Sequence, residues 1–282
     1  MSSIVVTGSF DDLKSKHVRF LEEASKLGDV QVLLWSNAAV RSLEGKSPKF
    51  PIEERLYVLQ AIRYVSTVSV EDGPIERDAI RSIAGLWNNP HLLVGHPNVW
   101  VVDEASDTPQ KRSYCEAHGL TYRVVRDQDL KGFPLANVVG NMESPARKKV
   151  VVTGCYDWFH SGHVRFFEEV SGLGDLYVVA GSDANVRLLK GEGHPLFPED
   201  ERRYMIQSIR YVKQVLISTG QGWMDAEPEI DLIKPDIYAV NEDGDKPEKR
   251  EFCQARGIRY VVLKRTPKEG LPRRQSTDLR GF

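Results

Sequence analysis

The chain has 282 residues, enough for two domains of ordinary size, and its 41% hydrophobic and 28% charged residues are typical of a globular protein. A formal net charge of −2 offers no overall attraction to nucleic acid or to an acidic membrane, so an anionic ligand must be held locally. No apolar run reaches the length of a membrane span, and Met1-Ser2-Ser3 leads directly into Ile4-Val5-Val6, leaving no room for a signal peptide; a cytoplasmic location is expected. Cys115, Cys155 and Cys253 lack C-x-x-C spacing, which argues against a disulfide framework or a zinc site, and no protein metal ligands are expected.

In chain order, Ile4-Val5-Val6-Thr7-Gly8 reads as a buried strand, followed by Lys14-Ser15-Lys16-His17 at the start of a helix. The same order returns 146 residues later: Val151-Val152-Thr153-Gly154 repeats Val5-Val6-Thr7-Gly8, His163-Val164-Arg165-Phe166 repeats His17-Val18-Arg19-Phe20, and Leu173-Gly174-Asp175 repeats Leu27-Gly28-Asp29. Ile209-Arg210-Tyr211-Val212 matches Ile62-Arg63-Tyr64-Val65, displaced by one residue through an insertion near Gly193-His194. Cys115 and Cys253 fall at matching places in two similar helices and read as small core residues. The chain is therefore a tandem duplication. The polar stretch from Asn137 to Lys149, with Gly140, Pro145 and Arg147-Lys148-Lys149, reads as a linker, giving expected domains of 1–140 and 147–282.

In the second copy, apolar runs at 150–153, 176–180, 214–217, 236–240 and 260–263 alternate with segments of helical spacing. Such alternation predicts an α/β fold: two tandem Rossmann-like domains, each a parallel sheet flanked by helices, with the ligand crevice beyond the carboxyl ends of the strands where strand order reverses. His160-Ser161-Gly162-His163 lies there, between the first strand and a helix. Free backbone N–H groups and the positive end of the helix dipole favour phosphate at such a place. Read alone, His160 could simply cap the helix and His163 pack in its first turn. The strand–turn–helix setting favours the ligand reading.

Gly154-Cys155-Tyr156-Asp157-Trp158-Phe159-His160-Ser161-Gly162-His163 resembles the signature of the cytidylyltransferase-like nucleotidyltransferases, and most resembles the ethanolamine-phosphate and glycerol-3-phosphate cytidylyltransferases. The resemblance implies transfer of CMP from CTP to a small phosphorylated alcohol with release of pyrophosphate, in a step that depends on alignment and charge stabilisation. It implies His160, His163 and Lys190 as the catalytic set, with Thr153, Gly154, Cys155, Tyr156, Asp157 and Gly162 around the nucleotide. Lys190 could also be a solvated helix end. Arg202 matches the arginine of an E-R motif and either holds a phosphate or, since Glu54-Arg55 repeats it, forms a structural ion pair; Asp157 recurs as Asp11 and suits turn geometry as well as ligand contact.

Towards the end, Arg273-Arg274-Gln275-Ser276-Thr277-Asp278-Leu279-Arg280 resembles the family's second signature, with Arg273 or Arg274 as the basic residue and Ser276 and Thr277 on the β- and γ-phosphates. Asn241 and Asp243, in the turn Asn241-Glu242-Asp243-Gly244-Asp245, could read the base or ribose or form only a polar turn. The first copy has Lys14 and Lys16 in place of His160 and Gly162, and Leu135-Ala136-Asn137-Val138-Val139 opposite the second signature, so it is expected to keep the fold without the chemistry. The expected partners are a nucleoside triphosphate carrying Mg²⁺, CTP before ATP, and a small phosphorylated substrate; no nucleic acid or membrane is expected, and a homodimer is left open. Ser276-Thr277-Asp278-Leu279-Arg280 is also compatible with an ATP-using adenylyltransferase, and the eroded copy with a catalytically silent nucleotide-binding regulator.

Overall fold

The computed structural model describes residues 3–71, 97–135, 147–276 and 279. The chain separates into two compact units, Met1–Gly132 and Phe133–Phe282. Residues 136–146, most of the expected linker, lie outside the described residues, as does the Ala136–Val139 stretch set opposite the second signature.

The first unit runs β1 (Ser3–Gly8), α1 (Ser15–Ser25), β2 (Asp29–Trp35), α2 (Asn37–Glu44), α3 (Ile52–Ala61), β3 (Val65–Glu71), β4 (Val99–Asp103), α4 (Pro109–Ala117) and β5 (Thr121–Val125). The second repeats it as β6 (Lys149–Gly154), α5 (Ser161–Ser171), β7 (Asp175–Ala180), α6 (Asp183–Lys190), α7 (Glu199–Gln207), β8 (Val212–Ile217), α8 (Glu227–Ile233), β9 (Ile237–Asn241), α9 (Pro247–Ala255) and β10 (Arg259–Leu263). Each unit holds a five-stranded parallel sheet, ordered β3-β2-β1-β4-β5 and β10-β9-β6-β7-β8. Two tandem Rossmann-like domains are thus present, as the alternation of apolar runs predicts.

The central strands are continuous apolar runs because helices cover both faces of the sheet. Val150, Val151 and Val152 are fully buried in β6, as are Ile4, Val5 and Val6 in β1. Cys253 packs with Val151, Tyr177, Ile230 and Tyr238, and Cys115 with Trp100 and Ala39. Burial pushes both thiols up to about 11, so they act as small apolar groups. β8 starts two residues before the expected 214, since Val212 pairs with Leu176 ahead of a register shift between Leu176 and Tyr177.

β6 pairs with β7 on one side and β9 on the other, so strand order reverses at β6. The loops after β6 and β9 leave the same carboxyl edge. That geometry, rather than proximity in sequence, joins the H-x-G-H turn to residues 241–245.

Candidate active site

His160 is the residue that opens α5. Its backbone is extended (φ −150°, ψ 171°), and its Nδ1 accepts from the Gly162 N–H at 3.1 Å, while Nδ1 of His163 accepts from the His160 N–H at 3.4 Å. The pair forms a reciprocal capping box in which imidazoles take the places usually held by serine and glutamate. A neutral imidazole whose Nδ1 accepts must carry its proton on Nε2. Both histidines are therefore held as Nε2–H donors. The rings stack at 3.9 Å between centroids with planes 22° apart.

Burial sets their charge. It lowers His160 to about 3, with Arg265 and Arg274 pushing the same way, and it holds His163 well below 6.5, reinforced by His160, Arg265 and Lys190. Both are neutral at physiological pH. Nε2 of His160 is buried with no hydrogen-bond partner among the described residues, a donor left for a ligand to satisfy. Gly162 is required by space: a Cβ there would lie 2.9 Å from Cε1 of His160.

The histidines face a cavity of about 200 Å³. Thr153, Gly154, Cys155, Tyr156, Asp157, Lys190, Asn241, Asp243 and Ser276 line it with them. The fold thus gathers most of the residues singled out in the sequence. Arg273 and Arg274 line a smaller adjoining cavity, where the Arg274 carbonyl accepts from Nη2 of Arg265 at 3.1 Å. Thr277 lies outside the described residues.

Within this shell the roles divide. Oδ1 of Asp157 accepts from the backbone of Leu196 (2.6 Å) and Phe197 (3.1 Å), and Oδ2 faces Nδ1 of His194 at 3.2 Å. The carboxylate is spent on fastening the 194–197 loop; Asp11 does the same for Lys49 and Phe50. Tyr156, at φ 54°, lays its ring over Gly154, where a Cβ would be 2.9 Å from it, and packs against His163 (5.2 Å) and Phe167 (5.3 Å). It supports the histidine from behind. Oγ1 of Thr153 shares a 2.7 Å hydrogen bond with the Tyr238 hydroxyl, and burial raises the Cys155 thiol despite the opposing charges of Lys190 and Arg202.

Arg202 is not directed at the cavity. Only 1% exposed, it donates to the carbonyls of Phe197 (2.9 Å), Cys155 (2.7 Å) and Gly181 (2.8 Å) and to Asp183 (2.8 Å). Of the two roles the sequence left open, the structural one has the geometry: one guanidinium ties the ends of β6 and β7 to the start of α6. Arg55 repeats the clasp on the carbonyls of Phe50, Ser9 and Trp35 and on Asn37.

Two further cations belong to neither signature. Arg265, two residues beyond β10, lines the cavity, pairs with Asp243 at 2.5 Å and lowers the pKa of both histidines. Lys249 of α9 also lines it, 5.7 Å from the Tyr238 ring, its pKa lowered by burial. The signal that could have found Arg265 is position: a basic residue just past a strand's carboxyl end falls on the ligand edge of a parallel sheet. Among the described residues no group of three or more His, Cys, Asp and Glu side chains is arranged to hold a metal, and no helix is long and apolar enough to cross a membrane.

A doubly wound sheet whose switch point carries paired imidazoles and flanking cations is the arrangement expected of a nucleotidyltransferase. The family model "Cytidylyltransferase-like" matches residues 5–129 and again 151–274, and the chain belongs to that family. An FAD synthase of Ferroglobus placidus is 37% identical over 125 residues, covering 43% of this chain and 78% of the relative. An FAD synthase of Aciduliprofundum boonei is 34% identical over 119 residues, covering 41% and 76%. The bifunctional protein HldE of Citrifermentans bemidjiense is 33% identical over 132 residues, covering 46% of this chain but only 26% of that protein.

Proposed function

We propose that the second unit transfers a nucleotidyl group from a nucleoside triphosphate to a small phosphorylated acceptor and releases pyrophosphate. The observation that carries this reading is the pair of neutral, tautomer-locked imidazoles lining a cavity that Lys190 and Arg265 also line. An acceptor phosphate oxygen forms the new bond to the α-phosphorus, and the bond from that phosphorus to the α,β-bridging oxygen breaks with its electrons leaving on pyrophosphate. The nucleophile is already anionic at neutral pH, so the protein has only to align the reactants and stabilise charge. His160 and His163 donate to phosphate oxygens as charge builds, Lys190 and Arg265 supply positive charge, and Arg274 and Ser276 grip the far end of the triphosphate. Mg²⁺ enters as the complex of the nucleotide substrate.

The cytidylyltransferase-like signature supports CTP with a phosphoethanolamine- or glycerol-3-phosphate-like acceptor. A second reading rests on the relatives named FAD synthase, whose product contains an adenylyl group, and makes the donor ATP. Measuring pyrophosphate release with each of the four nucleoside triphosphates against phosphorylated alcohols and a phosphorylated flavin separates the two. Release with no triphosphate and acceptor pair would sink both and leave a nucleotide-binding regulator.

A further inference from the structure

The first unit has lost the histidine pair, but it retains a cavity of about 290 Å³ at the same sheet edge. Positions of the first unit that match two cations and an asparagine of the second are acidic, and of these Asp103 lines the cavity. Glu44 ends α2 where Lys190 ends α6, each followed by a glycine; Asp127 stands two residues beyond β5 where Arg265 stands two beyond β10; and Asp103 ends β4 where Asn241 ends β9. The two lysines that replace His160 and Gly162 do not restore a cationic site, because Lys16 pairs with Asp127 at 3.0 Å and Lys14 with Asp12 at 3.5 Å. A triphosphate has no surplus of positive charge to meet here.

What remains suits a ring. Phe10, Phe20 and Trp35 give the cavity aromatic walls, and His17, with Nδ1 accepting from the Lys14 N–H at 3.0 Å, keeps the Nε2–H tautomer. Oδ1 of Asp103 caps the following turn through the Ser106 N–H at 2.9 Å, leaving its second oxygen as an acceptor at the wall. The indole N–H of Trp35 is buried with no hydrogen-bond partner among the described residues. Flat apolar surface combined with a carboxylate acceptor and unspent N–H donors is the complement of a heteroaromatic ring bearing both donors and acceptors. We propose that the first unit binds an uncharged nucleoside or nucleobase in this cavity, excluding nucleoside triphosphates, and so serves as a ligand site separate from the one in the second unit.

The test is calorimetric titration of the full-length protein with adenosine and with cytidine, comparing wild type with Asp103→Asn, Trp35→Phe and Arg265→Ala. Asparagine already ends the matching strand of the second unit, so Asp103→Asn keeps the turn, and Trp35→Phe keeps the ring while deleting the N–H; thermal melts verify that each variant is folded. At least one nucleoside is expected to bind, with affinity reduced at least tenfold by Asp103→Asn and by Trp35→Phe and changed less than twofold by Arg265→Ala. Absence of binding by both nucleosides, or binding that both first-unit variants leave intact, overturns the proposal. So does loss that follows Arg265→Ala, which would place the nucleoside in the second unit.

Discussion

His160 and His163 stack with ring centroids 3.9 Å apart, and each has its Nδ1 occupied by a backbone N–H of the same turn. Rotation and tautomer are thereby fixed before any ligand arrives. Replacing either residue with alanine is expected to lower turnover at least about a hundredfold, the scale of a lost transition-state donor. Glutamine, whose side-chain amide can reach the place of Nε2, should recover part of that loss where asparagine does not. Steady-state pyrophosphate release under saturating substrates checks this, and near-normal turnover in either alanine variant would remove that histidine from the chemistry.

Acid should unfold the second unit through the same pair. His160 titrates near 6.5 when unfolded and at about 3 when folded, so the unfolded chain binds the extra proton between those values. Its contribution to stability is complete above pH 6.5 and is lost as pH falls towards 3, amounting to roughly 2 kcal/mol by pH 5, with His163 acting in the same direction. Urea melts at pH 7 and pH 5 should show the loss, and the double alanine variant a shallower dependence.

Arg202→Ala is expected to act on stability. It strands three carbonyls that accept from the guanidinium, those of Phe197, Cys155 and Gly181, at about 1–3 kcal/mol each, for a total of at least about 3 kcal/mol. Nucleotide affinity of the protein that remains folded should change little. A large affinity loss with an unchanged unfolding midpoint would return Arg202 to the phosphates.

Truncation before Arg273 removes Arg274 and Ser276 and also the carbonyl that receives Arg265. Removing a charge-assisted hydrogen bond costs about 1.5–3 kcal/mol, roughly tenfold to a hundredfold in affinity, so titration with CTP and ATP should show severe weakening. Unchanged affinity for the preferred nucleotide would make the segment a bystander.

The first unit should not catalyse transfer, since Lys14 and Lys16 replace the histidine and the glycine and Glu44 and Asp127 replace cations. The full-length His160→Ala/His163→Ala variant isolates any residual contribution from it. Pyrophosphate release by that variant should be at background, and release that disappears on a further His17→Ala substitution would show a second active centre.

The sequence by itself determined the duplication, the parallel α/β sheets and the place of His160 and His163 at a strand–helix junction. Apolar runs such as Val150-Val151-Val152 and helical spacing such as Val164-Phe167 are written in neighbouring residues, and the mirrored segments of the two copies report the same frame twice. Only the tertiary structure decided what each polar side chain is for. Asp157 and Arg202 resemble ligand residues in a motif, yet most of their partners lie 19 to 47 residues away, and these bonds commit them to the protein's own backbone and to Asp183. Arg265 sits in neither signature, and it enters the site because the parallel order β10-β9-β6 delivers three distant strand ends to one edge. Periodicity is a local property of the chain. The pairing of charges across a sheet edge depends on where the whole chain returns, so a carboxylate or a guanidinium acquires its role only when folding has chosen its partner.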